Sequence, residues 1–87
     1  MSALRIFVVD VAEFRPIVEA ARGLAGVTVS GPRAGYHLIE GRGEIVLHRK
    51  AMGFKPALWW SLLTGGYRGR IVSYTREELR IVAEDAA

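Results

Sequence analysis

Cysteine is absent from the 87 residues, which removes disulfides and thiolate metal sites together. Histidine occurs only at His37 and His48, and lysine only at Lys50 and Lys55. No apolar run approaches the roughly 18 residues that cross a bilayer as a helix. The phosphate-loop pattern G-x-x-x-x-G-K-[ST] and the dinucleotide pattern G-x-G-x-x-G do not occur, and neither does the nucleophile elbow G-x-S-x-G. These gaps leave no motif for a cofactor. They also argue against P-loop nucleotide hydrolysis and elbow-type serine hydrolysis.

The residues that are present describe a folded chain. Hydrophobic residues make up 51% and charged residues 24%, a balance that disordered segments do not reach. A chain of this length reads as one domain over residues 1–87, and such a domain buries only about two-thirds of its unfolded surface. With disulfides excluded, oligomerisation is the remaining way to deepen a thin stability margin. The apolar stretch after Arg5 is broken by Asp10 and Glu13, so no signal peptide is evident and a cytoplasmic chain is expected. Net charge is +3, carried mostly by arginine. Between Arg33 and Arg70 seven basic residues face only Glu40 and Glu44. Such a basic middle suits an acidic partner or, equally, a solvated surface.

The pattern along the chain predicts alternating elements. Residues 4–11 form a strand whose alternate positions Leu4, Ile6, Val8 and Phe7, Val9, Val11 are both apolar, as in strands covered on both faces. Phe14, Ile17, Val18, Ala21 and Leu24 recur at helical spacing, with Pro16 in the first turn and Gly23 and Gly26 as stops. Residues 27–30 begin a second strand ahead of Gly31-Pro32. Tyr36–Glu40 and Glu44–Arg49 flank Gly41-Arg42-Gly43, which predicts a hairpin. A second helix starts at Pro56 and ends at Gly65-Gly66, and Arg70–Tyr74 follows as a strand. Thr75 and Glu78 have capping-box spacing, and Leu79, Val82, Ala83 and Ala86 suit a helix. But Leu79, Ile81 and Ala83 suit a strand, and a turn at 75–78 followed by a short edge strand is expected. The order β-α-β-β-α-β is that of the ferredoxin-like arrangement: an antiparallel sheet with two helices on one face and a short C-terminal edge element. That fold hosts many unrelated activities.

Candidate sites are few. A two-residue turn at Arg42-Gly43 would set His37 opposite His48, a pair suited to proton transfer but too small a ligand set for a closed zinc site. The competing explanation is two polar residues on a half-exposed hairpin. The Trp59-Trp60 pair is more unusual. On a helix, Trp59 shares a face with Leu62 and Leu63 while Trp60 lies about 100° further round. Trp60, Tyr67, Arg68 and Arg70 therefore form a candidate partner surface, set against the alternative that Trp60 is core. RNA-binding RRM modules use the same element order, but the counterpart strand Gly35–Glu40 offers only Tyr36 for base stacking.

The expected behaviour follows from the first strand. Helices on one face of a sheet leave Phe7, Val9 and Val11 uncovered on the other, and an apolar patch of that kind marks association. The sequence thus predicts a homodimer or higher oligomer joined through the open sheet face. Its expected role is that of a non-catalytic binding or assembly module, such as an accessory subunit serving a larger protein. Two alternatives are a nucleic-acid-binding module and a small oligomeric enzyme whose inter-subunit site takes a carboxylate substrate on His37 or His48 and an arginine.

Overall fold

In the computed structural model, which describes residues 4–84, the first strand, β1 (Leu4–Val9), lies inside a four-stranded antiparallel sheet. A short 3-10 turn at Ala12–Phe14 leads into helix α1 (Arg15–Arg22), with Pro16 in its first turn. Strands β2 (Val27–Arg33) and β3 (Tyr36–Gly41) follow, then β4 (Glu44–His48) and helix α2 (Pro56–Ser61). The chain closes with β5 (Tyr67–Arg68), β6 (Arg70–Tyr74) and β7 (Glu78–Val82). Sheet A has the order β2-β3-β1-β5 and sheet B the order β4-β7-β6.

This is not the ferredoxin-like arrangement. Strand outweighs helix by 44% to 21% among the described residues, the seven strands form two antiparallel sheets, and the two helices do not pack together on one face of a single sheet. Helix α1 lies against β2 and β3 and also touches β4, whereas α2 is tied to the end of β6 through Trp59 and Tyr74.

The expected hairpin around Gly41-Arg42-Gly43 is a corner between sheets. Strand β3 pairs with β1 and β2, while β4 pairs with β7, aligning Ile45 with Ile81 and Leu47 with Leu79. A glycine pair marks a hairpin turn and a sheet-to-sheet corner alike, and the partner is set by which apolar rows meet in the core. Gly41 allows the crossing because the Ile45 and Leu4 side chains stand 3.2 and 3.3 Å from where its Cβ would be. A second corner, at Gly69, links β5 of sheet A to β6 of sheet B. There a Cβ would meet the Val82 carbonyl oxygen at 2.8 Å, on a backbone with φ of 146°.

A hairpin instead joins β2 to β3 through Ala34-Gly35. Both residues have positive φ, 54° and 85°, the type I′ geometry that fits the twist of paired strands. Strand β2 runs three residues beyond the expected limit of Ser30, through a register shift between Ser30 and Arg33. The C-terminal element is a strand, but it is the central one of sheet B and not an edge. Thr75 does not begin a helix. Its hydroxyl oxygen accepts hydrogen bonds from the Glu77 and Glu78 amides and shapes the β6–β7 turn. Ala86, part of the helical alternative for this segment, lies outside the described residues, as do Met1, Ser2 and Ala3.

Both sheets give one face to a common core. Leu4, Ile6, Val8 and Ile39 enter it from sheet A, and Ile45, Leu47, Leu79 and Ile81 from sheet B. Phe14, Ile17, Val18 and Ala21 fill one side, and Phe54, Trp59 and Leu62 another. No polar or charged residue is buried among the described residues. Each strand of the core has a single buried row, which corrects the expectation that β1 is covered on both faces. No helix among the described residues is long and apolar enough to cross a membrane.

Candidate functional site

The outer face of sheet A carries side chains in three rows fixed by strand register. Arg68, Arg5, Glu40 and Thr28 occupy one row, Phe7, Leu38 and Ser30 the next, and Val9, Tyr36 and Arg33 the third. Arg5 Nε donates to Glu40 Oε2 at 3.1 Å. Phe7 and Leu38 are cross-strand neighbours that do not belong to the core. Beyond the irregularity at Ser30–Arg33, the hairpin tip forms a wall, and a groove of about 700 Å³ lies between that tip, Phe7, Tyr36 and Leu38.

Of the three residues expected to form one outward row, Phe7 alone lies in this groove. Val9 is half-buried and packs against the edge of the core. Val11 lies past the end of β1, where it is 43% exposed and lines a different crevice. The sequence pattern missed Leu38 and weighed Tyr36 only as a base-stacking residue, because their meeting with Phe7 is legible only once β1 is known to be the partner of β3.

The two histidines are far from the expected pairing. His37 stands opposite Val8 in sheet A, and His48 opposite Glu78 in sheet B. His37 instead meets Asp10, with Nε2 3.1 Å from Oδ1. In the neutral ring the carboxylate fixes the proton on Nε2, leaving Nδ1 as a buried lone pair with no partner among the described residues. Around this pair Val11, Pro32 and the α1 residues Arg15, Val18, Glu19 and Arg22 line a crevice of about 280 Å³.

The expected surface of Trp60, Tyr67, Arg68 and Arg70 is divided. Trp60 is 50% exposed and its ring lies 4.8 Å from that of Tyr74. Arg70 and Tyr74 begin and end β6, about 13 Å apart at ~3.3 Å per residue. Arg68 points toward Glu84, 3.5 Å away, and Tyr67 sits on the edge strand of sheet A, 44% exposed. Trp59, by contrast, is fully buried, and its Nε1 donates to the Thr75 carbonyl at 2.6 Å.

On sheet B the outer face is charged. Arg80 reaches Glu44 at 2.8 Å and Glu78 at 3.3 Å, and Ser73 donates to Glu78 at 3.1 Å. The Arg80 guanidinium, and next the Ser73 hydroxyl, hold the Glu78 carboxyl below its ordinary value, while the two carboxylates raise that of Arg80. The basic middle of the chain does not gather either. Arg49 donates to the carbonyls of Arg76 and Phe54, both at 2.7 Å, and so ties the loop after β4 to the β6–β7 turn. Arg33 ends β2, opposite Tyr36 at the start of β3, and Arg42 follows the other end of β3. Among the described residues no three potential ligand side chains cluster as a metal site would require. No family profile matches the sequence, and no curated protein matches it.

Proposed function

We propose that this protein is a non-catalytic binding or assembly module that works as a homodimer through the outer face of sheet A. The observation that carries this reading is the Phe7–Leu38 pair, set in an apolar groove outside the core. Both side chains are already half-buried, so covering what remains of each would contribute less than the roughly 1.5–3 kcal/mol of a full burial, before the cost of association. The occupant best suited to the face is a second copy. A twofold interface places one patch against itself, so any charge in the patch needs its opposite nearby. Arg5 and Glu40 do so side by side at the margin of the apolar row. A nucleic acid would instead need a continuous basic track, and the arginines here are dispersed or engaged with carbonyls and carboxylates.

Native mass spectrometry and light scattering test this. The wild type is expected to be a dimer at micromolar concentration, and Leu38→Lys a folded monomer. A monomeric wild type, or a dimer indifferent to Leu38→Lys, overturns the proposal. Nucleic acid retained through purification in place of a second copy does so too.

A further inference from the structure

The crevice beside His37 faces the inner side of sheet A and shares only Pro32 with the groove just described. Its chemistry is different. Helix α1 presents Arg15, Val18, Glu19 and Arg22 to it, spaced as one helical stripe. Across from them stand Asp10 and His37, joined by their 3.1 Å contact. The volume, about 280 Å³, is near the lower limit for small-molecule sites.

The geometry points to a binding site for a small carboxylic acid with a hydroxyl or ammonium group on the neighbouring carbon, such as an α-hydroxy or α-amino acid. The charges in the crevice account for this choice. Arg22 is paired with Glu19 at 3.5 Å, and Asp10 is engaged with His37. Arg15 is the lining cation that has no ion pair among the described residues. Its guanidinium fork matches a carboxylate in two parallel hydrogen bonds. Asp10 is 46% exposed on its side chain, and its carboxylate has lone pairs left after Nε2 has taken one. It is the natural acceptor for a donor one carbon away from the bound carboxylate. Val11, Val18 and Pro32 supply an apolar wall for a short side chain. Two carboxylates in the lining oppose a phosphate or dicarboxylate, whose second charge would meet Asp10 or Glu19 without a free cation. The two histidine nitrogens fit the same arrangement. With Nε2 held by Asp10 and Nδ1 buried, His37 orients the carboxylate and gives the crevice its ring surface.

The test is an amide chemical-shift titration of the whole protein with L-lactate, L-alanine, acetate and inorganic phosphate. Lactate or alanine is expected to give saturable shifts confined to residues 10–22 and 31–37, with acetate weaker by about tenfold. Arg15 is exposed, so Arg15→Gln should keep the fold while weakening binding by at least about tenfold. Asp10→Asn should remove the preference for lactate over acetate. Overturning results are the absence of saturable shifts, phosphate binding as well as lactate, or Arg15→Gln binding like the wild type. Because the crevice is on the other side of sheet A, these outcomes are independent of whether the protein dimerises.

Discussion

Tyr74 donates its hydroxyl to the backbone carbonyl of Trp59, and its ring meets the Trp59 indole nearly edge-on with centroids 5.7 Å apart. Burial raises the Tyr74 phenol above its ordinary pKa, so the donor stays protonated under physiological conditions. Trp59 is thereby fixed at three points: the core, the Tyr74 hydroxyl and the Thr75 carbonyl.

The adjacent tryptophans should therefore behave very differently on truncation. Trp59→Ala opens a core cavity and leaves Thr75 without its donor, an expected loss of ~3–5 kcal/mol. Trp60→Ala removes a half-exposed ring whose aromatic neighbour is Tyr74, and should cost about 0.5–1.5 kcal/mol. Urea denaturation of the two variants checks this. Similar losses would show that Trp60 is also core.

Ala34 has a φ of 54° in the β2–β3 turn, a region costly for an L-residue but tolerated by asparagine. Ala34→Asn should stabilise the fold by roughly 0.5–1 kcal/mol, because the turn then matches the preferred Asn-Gly form. A raised urea midpoint with an unchanged slope is the expected signature.

The charged face of sheet B gives a pH dependence of known sign. Hydrogen bonds from Arg80 and Ser73 put the folded pKa of Glu78 below the unfolded value near 4.5. The group thus contributes stability above that value and loses it as pH falls through the lower folded value. Glu78→Gln should be less stable than wild type near neutrality, and the difference should shrink as the solution is acidified below pH 4.5. Denaturation midpoints across that range decide it. A gap that widens toward low pH would contradict the assignment.

At the dimer face, a charge swap separates a docking role from a local one. Arg5→Glu places a second acid beside Glu40 on each copy, and should weaken association by at least about tenfold. Arg5→Glu combined with Glu40→Arg restores one charge of each sign and should recover much of the affinity. Sedimentation equilibrium of both variants measures it. No change in either would remove the pair from the interface.

Periodicity alone located most elements. The helical spacing of Ile17, Val18 and Ala21 gives α1, Pro56 marks the start of α2, and apolar runs give the strands that carry Leu4, Ile6, Val8, Ile45, Leu47, Leu79 and Ile81, which the structure buries in the core. Trp60, from its place beside Trp59, and Phe7, from the alternation of β1, were candidates for contact on sequence alone, and both lie outside the core. Pairing was not legible, because a strand's hydrogen-bonding partner leaves no mark in its own residues. Gly41-Arg42-Gly43 looks like a hairpin, but the apolar row of β4 meets its match on β7, so the chain turns a corner. The true turn at Ala34-Gly35 lacks the asparagine that would have announced it. The candidate sites depend on the same information. His37 has Asp10, Arg15 and Arg22 for neighbours only because β3 pairs with β1 beneath α1, and Leu38 joins Phe7 for the same reason. Local periodicity marked the apolar rows and faces; non-local strand pairing, driven by the fit of those rows in one core, decided which row of β1 is buried and which exposed residues meet.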